Sequence, residues 1–338
     1  MITLSCETPG KFEFKEMILP GPKKGFALLK IRRIGICGTD YHAFEGTQPF
    51  FNYPRVLGHE IAAEIAHLEN EQEFHIGEKV TINPYFSCGQ CIACRNAKPN
   101  CCENISVFGV HEDGGMQEYI SVPESSLIHG QGLSFDELAL VEPLAIGAHG
   151  VKLAELKAGE FVLILGAGPI GLGTASLAQI AGGEVIVADY NTNRLDFCRS
   201  KLDIAHTINL SETDMHTRLK EITGADMPTV IIDCTGNQEA INGALKFLAH
   251  GGKLILIGLQ KKEIIISHPE FHKREATLKS SRNALSDDFS HVINCIRKGW
   301  IRPLDFISHR VAFERLPENF EKLLNSQQSV IKALVEFG

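Results

Sequence analysis

The sequence predicts an α/β protein of two domains, in which a β-rich domain is interrupted by a doubly wound parallel sheet. Three observations lead there. From about residue 148 to about residue 282, apolar runs alternate with helix-like stretches, the order that builds a parallel sheet. The residues before, and the last 55 or so after, carry short apolar runs cut by Gly, Pro and Asn, which suits an irregular β-rich fold. A chain of 338 residues also exceeds what one ordinary core accommodates. The expected division is 1–147 with 283–338, and 148–282.

In the first part the strand candidates are FALLKIRRIG, EIAAEIAHL, EKVTINP and MQEYISVP. In the second, FVLILGAG is continuously apolar, as a strand covered on both faces is. A helix of small residues from about Pro169 to Ala181 follows, then the strand EVIVADY and the helix NTNRLDFCRSKL. The strand AHTINL, a helix around MHTRLKEITG, the strand TVIIDCTG, NQEAINGALKFLAHGG and KLILIGL complete the series. KKEIIISHP, residues 261–269, reads as one more strand, an edge open to pairing with a second subunit.

Composition narrows the partners. The chain is 44% hydrophobic and 22% charged, the balance of a soluble globular protein. A net charge of −8 argues against nucleic acid or an anionic membrane as partner. No run of about 18 apolar residues suits a bilayer span. The start MITLSCETPGKFEFKE lacks the basic flank and apolar core of a secretory signal, so a cytoplasmic location is expected.

Ten cysteines are present and five crowd into residues 88–102. In a reducing compartment such a cluster points to a metal rather than to disulfides. Cys88, Cys91, Cys94 and Cys102 supply four thiolates that close a tetrahedron around Zn²⁺ and leave no open position, a structural site. Cys101 competes for the fourth place, and an iron–sulfur centre is the alternative occupant.

Gly166, Gly168 and Gly171 form G-A-G-P-I-G, with Pro169 and Ile170, after an apolar strand and at the start of a helix. Glycines there permit a tight turn and let a pyrophosphate approach the backbone at the positive helix end. Asp189 ends the next strand, where a carboxylate accepts hydrogen bonds from ribose hydroxyls and repels a 2′-phosphate. NAD is therefore favoured, with Arg194 as the residue that would serve NADP. Thr235, Gly258 and Leu259 follow two later strands, where ligands bind in this architecture.

Three further segments carry reactive side chains. I-C-G-T-D-Y-H holds Cys37, Thr39, Asp40 and His42; L-G-H-E holds His59 and Glu60; V-E-P-L holds Glu142. A catalytic zinc takes three protein ligands of mixed type and keeps one exchangeable position. Each residue also has a plain structural reading as a buried thiol, a core histidine or the partner of an arginine. Spacing alone does not bring the three segments together.

In their order, C-G-T-D-x-H, G-H-E, the four cysteines, D-G-G-M-Q-E-Y-I at 113–120, E-P near 142 and G-A-G-P-I-G resemble the zinc-containing medium-chain dehydrogenase/reductase family over essentially the whole chain. The resemblance implies a GroES-like β-barrel catalytic domain interrupted by a Rossmann domain. It implies Cys37 and His59 as ligands of a catalytic zinc, with Glu60 or Glu142 able to approach the metal. Alcohol dehydrogenases of the family carry a cysteine in the segment of Glu142, so glutamate there resembles the polyol, threonine and sugar-alcohol branches. Thr39 matches the hydroxyl that takes the substrate proton, passed through the cofactor ribose toward His42, while zinc stabilises the alkoxide and the nicotinamide takes the hydride. L-K-S-S-R-N-A, residues 278–284, resembles members that oxidise hexonates such as L-gulonate, L-galactonate or L-idonate. Arg282 there suits a carboxylate or polyol oxygen, an interdomain salt bridge being the plain alternative. Phe50, Phe51 and Phe108 are candidates for pocket lining or for core.

The expected protein is thus a zinc-dependent, NAD-using oxidoreductase of a polyol or sugar acid, with one catalytic and one structural zinc, assembled as a homodimer or homotetramer. L-Threonine 3-dehydrogenase and a sugar-alcohol phosphate dehydrogenase are the alternatives within that class. A zinc deaminase would need H-x-E and P-C-x-x-C, which adjacent His59 and Glu60, and Ser87 before Cys88, do not match. A non-catalytic zinc-binding module is the alternative outside it.

Overall fold

The computed structural model describes residues 1–48, 51–69, 71–325 and 330–338. It divides into two compact units, Met1–Glu142 with Ala284–Gly338, and Pro143–Asn283.

The first unit is organised on the long strand Phe26–Ile36, whose alternation sends Ala27, Leu29 and Ile31 into the core and, after an irregularity between Ile31 and Arg33, Ile34 as well. It pairs antiparallel with Glu60–His67, Tyr119–Pro123 and Lys332–Glu336. The last of these brings the C-terminal segment into the interior of the sheet, with Ala333 opposite Ile36. Phe313, Leu316, Phe320 and Val335 accordingly share one core with Leu4, Leu29, Ile34 and Ile61. Each such side chain contributes about 1.5–3 kcal/mol by burial. The sheet extends through Lys79–Ile82 and Leu127–His129 on one side and Ile307–Ala312 on the other. A short ribbon, Tyr85–Phe86 against Ser106–Val107, closes the base of the cysteine-bearing loop.

One glycine in the central strand is dictated by its neighbour. Gly35 stands opposite Glu60 in the ladder, and a Cβ there would lie 1.9 Å from Glu60 Oε2. Gly35→Ala is expected to displace that carboxylate and cost about 1–3 kcal/mol, the usual range for overpacking. A urea titration should show a lower midpoint at unchanged slope; a parental midpoint would mean the carboxylate has room to move.

The second unit is a six-stranded parallel sheet of Phe161–Leu165, Glu184–Asp189, His206–Asn209, Val230–Asp233, Lys253–Leu256 and Thr277–Ser280. Across the sheet they run third, second, first, fourth, fifth, sixth, so the order reverses between the first and fourth strands, where such folds bind ligands. Val162, Leu163, Ile164, Ile231 and Ile232 are fully buried, as the unbroken apolar runs implied. The helix Pro169–Ile180 starts from Gly168 as cap with proline first. Its entry is tight: a Cβ on Gly171 would fall 1.8 Å from the Gly166 carbonyl oxygen. No helix of the described residues is long and apolar enough to cross a membrane.

Two elements differ from the sequence reading. The stretch KKEIIISHP does not form a strand: its end belongs to the helix His268–Lys273, and no strand of the described residues pairs with the rest. Side chains satisfy its backbone instead, Asn242 Oδ1 accepting the Ile265 N–H and Gln238 Nε2 donating to the Glu263 carbonyl. The sheet edge is held by Thr277–Ser280, where polar residues and a single leucine hid a strand from a reading based on apolar runs. The change of character placed near residue 148 falls inside a helix, Val141–Ala154, whose second residue is Glu142.

Candidate active site

The strand Phe26–Ile36 runs out into Cys37, which caps the helix Gly38–Phe44. The strand Glu60–His67 begins directly after His59. Asp40, almost fully buried, ties the two segments together: Oδ2 accepts the Cys37 N–H at 2.8 Å and Oδ1 accepts the Gly58 N–H at 3.0 Å. The D-G-G-M motif closes over the same point, since a Cβ on Gly114 would meet the Gly58 carbonyl oxygen at 2.4 Å. The outcome is a small group in which Cys37 Sγ, a His59 nitrogen and a Glu60 oxygen lie within 4.8 Å of one another.

Glu60 is completely buried, and Lys332 Nζ donates to both of its oxygens at 2.6 and 2.7 Å and to the Ile36 carbonyl at 3.2 Å. Burial alone would depress the Lys332 ammonium, but the charges of Glu60 and Cys37 hold its pKa above the ordinary lysine value. Glu142 accepts the hydroxyl proton of Tyr85, and both side chains are buried. Burial raises the Glu142 carboxyl above the usual range against the opposing pull of His59. For His59, burial favours the neutral ring, yet Cys37, Asp40 and Glu142 draw its pKa well above 6.5.

So much negative charge converging in one buried place suits a cation. His59 Nδ1 is buried without a hydrogen-bond partner among the described residues, as a metal-ligating nitrogen would be. A thiolate, an imidazole and a carboxylate form a donor set that fits zinc with a position to spare. Sequence reasoning missed Lys332 and Tyr85. Lys332 is 272 residues from its partner, and neither sits in a motif.

Thr39 lies in the first turn of the helix that Cys37 caps and is partly buried. His42, on the same helix, is exposed, with Nδ1 3.1 Å from Thr47 Oγ1 and 3.5 Å from the Glu45 carboxylate. In the cysteine loop, Cys88, Cys91, Cys94 and Cys102 bring their sulfurs within 4.8 Å of one another, while Cys101 is exposed and stands outside that group. The Cys88 N–H donates to Cys102 Sγ at 3.2 Å. Backbone N–H groups of Cys94 and Glu103 bring the Cys91 thiol down to about 6, which favours the ligating thiolate.

In the second unit the glycine loop and three strand ends meet. Asp189 accepts the Ala167 N–H, within the loop, and the Asn191 N–H at 2.7 Å. Arg194 Nη1 stands 4.0 Å from where a Cβ on Gly168 would be, so the acid and the arginine both border the loop. A Cβ on Gly166 would lie 2.8 Å from Thr235 Cγ2. Asp233, buried, accepts from the Thr235 hydroxyl and the Gly236 N–H, and a Cβ on Gly258 would strike the Gly236 nitrogen at 2.1 Å. Leu259 projects beyond them, 77% exposed. Pro169 and Ile170 open the helix. Arg282 is exposed near the end of this unit. Phe108 is a core residue of the first unit, Phe51 packs at the margin of that core against Tyr53, and Phe50 lies outside the described residues.

Family models for the alcohol dehydrogenase GroES-like domain match residues 23–131 and for the zinc-binding dehydrogenase match residues 169–298. The L-galactonate-5-dehydrogenase of Escherichia coli K12 is 42% identical over 338 residues, covering 100% of this chain and 99% of that protein. The chain belongs to the zinc-containing alcohol dehydrogenase family. This dehydrogenase resembles an alcohol dehydrogenase of E. coli CFT073 solved with NADH, at 29% identity and a TM-score of 0.93 over 100% of this chain and 99% of that one. It also resembles a zinc-binding dehydrogenase of Sinorhizobium meliloti 1021 bound to NADP, at 27% identity and a TM-score of 0.89 over 99% and 98%. Membership makes it an enzyme and removes the non-catalytic zinc module from consideration.

Proposed function

We propose that this dehydrogenase oxidises a secondary alcohol of a hexonate, with NAD as hydride acceptor, a catalytic zinc at Cys37, His59 and Glu60, and a structural zinc at Cys88, Cys91, Cys94 and Cys102. The observation that carries the reading is the group of half-buried Cys37 with buried His59 and Glu60, with Glu142 as its neighbour, a carboxylate-rich variant of the family's donor set. The full-length similarity to an L-galactonate-5-dehydrogenase supports the substrate class.

Zinc held there supplies Lewis acidity toward the substrate oxygen. Lys332 holds the Glu60 carboxylate in place through two hydrogen bonds. Thr39 takes the proton of the substrate alcohol, and exposed His42 releases it to water. NAD supplies the acceptor for the hydride. The N–H groups of the Gly166–Gly171 loop bind its pyrophosphate, and Asp189, bordering that loop, disfavours a 2′-phosphate. Arg282 offers its guanidinium to the carboxylate of the substrate. Leu259, Ile264 and Ile265 are exposed apolar side chains that a second subunit of a homodimer or homotetramer would cover, and the proposed location is cytoplasmic.

The test is NADH formation over L-galactonate, L-gulonate, L-idonate, sorbitol, galactitol 1-phosphate and L-threonine, alongside elemental analysis of the protein. A hexonate should be the best substrate, NAD should outperform NADP, and the protein should carry two zinc ions per chain. L-Threonine or a sugar-alcohol phosphate turning over faster than every hexonate would refute the substrate.

A further inference from the structure

Two buried carboxylates adjoin Cys37 and His59, and each has its own partner. Glu60 has the Lys332 ammonium and stands within 4.8 Å of both ligand atoms. Glu142 is not in that group, although its charge acts on His59 and Glu60. Its partner is the hydroxyl of Tyr85. We infer that Tyr85 is a positioning residue that holds Glu142 away from the metal and so leaves Glu60 as the coordinated carboxylate; this rests on the catalytic zinc proposed above.

The backbone on both sides of the bond is fixed. Glu142 occupies the first turn of the helix Val141–Ala154, so only its side chain can swing. Tyr85 belongs to the ribbon Tyr85–Phe86 and Ser106–Val107, where it faces Val107, and its N–H donates to Asn83 Oδ1 at 3.1 Å. That ribbon spans the base of the cysteine loop, so four thiolates drawn onto one ion would clamp the element that carries Tyr85. Tyr85 is 9% exposed and Glu142 3% exposed, so water is a poor substitute for the phenol. A buried carboxylate that loses its donor takes up a proton or finds another positive partner, and a nearby divalent metal favours the ionised form that can bind it. Among the neighbouring charges, Lys332 is already committed to Glu60 and His59 is a neutral ring when it ligates the zinc, which leaves the metal. With Tyr85 removed, Glu142 would take the position that the substrate oxygen needs.

The experiment is visible absorption of the cobalt-substituted protein, compared for the parent, Tyr85→Phe, Glu142→Gln and the double variant, with zinc affinity measured by chelator competition. Tyr85→Phe should weaken the cobalt d–d bands as the coordination number rises, retain metal more tightly, and lower kcat about 10–100-fold, the usual effect of losing an outer partner. The dissociation constant of NADH should stay within about twofold of the parent. The double variant should recover the parent spectrum, because the amide of glutamine is a weak ligand. A parent spectrum in Tyr85→Phe, or a disturbed spectrum that persists in the double variant, overturns the inference and leaves the zinc assignment standing. A cobalt spectrum indifferent to Cys37→Ser would instead overturn the zinc assignment, and this inference with it.

Discussion

Cys37→Ser is expected to lower turnover by about three orders of magnitude or more while NADH binding, followed by fluorescence, stays at the parental value. Serine keeps the size and the cap position of the residue but replaces a thiolate by a hydroxyl that stays protonated near neutral pH. The group would then hold only His59 and Glu60 as strong ligands, too few for a three-ligand catalytic site. A metal's stabilisation of a developing alkoxide is worth several kcal/mol, and about 4 kcal/mol corresponds to 10³ in rate. The cysteine quartet lies elsewhere in the chain and remains complete, so zinc content should fall from two ions to one rather than to none. Normal turnover in this variant would sink the assignment of Cys37.

In protein stripped of metal, Lys332→Met is expected to lower stability by about 3–5 kcal/mol, the range found when one member of a buried pair is removed. Methionine matches much of the volume of the lysine stem, so the loss comes from the Glu60 carboxylate, fully buried and deprived of both of its short hydrogen bonds. Because strand Lys332–Glu336 lies inside the sheet, between Phe26–Ile36 and Ile307–Ala312, the whole unit should feel the change. At about 2–4 °C per kcal/mol for a domain near this size, the melting temperature should drop by roughly 10 °C. Adding Glu60→Gln removes the uncompensated charge and should return much of the stability, a coupling that a double-mutant cycle isolates. If the two substitutions simply add, the pair is not what holds the strand in place.

The resistance of this site to reading from sequence has a physical basis. Cys88, Cys91, Cys94 and Cys102 were legible because a C-x-x-C repeat is itself a local geometry, one short loop long. The glycine loop was legible because strand, turn and helix follow each other without a break, and the close approach of Gly171 to the Gly166 carbonyl shows why nothing larger fits. The central strand of the first unit and five strands of the second were visible as apolar periodicity. Thr277–Ser280 was hidden because a strand's ladder is made by the backbone and leaves an edge strand free to carry polar side chains, and KKEIIISHP is not a strand within the chain because isoleucine-rich composition alone does not supply a pairing strand there.

The sequence by itself determined the two kinds of domain, the glycine loop and the cysteine quartet, all of which are encoded within a few tens of residues. Only the tertiary structure decided the reactive group. Cys37, His59 and Glu60 meet because Gly35 is in register with Glu60 and Asp40 bridges to Gly58; Lys332 arrives because Ala333 is in register with Ile36; Tyr85 reaches Glu142 across 57 residues. Register between distant strands follows from how whole faces bury against one core, and a buried charge finds its partner only once that burial has occurred.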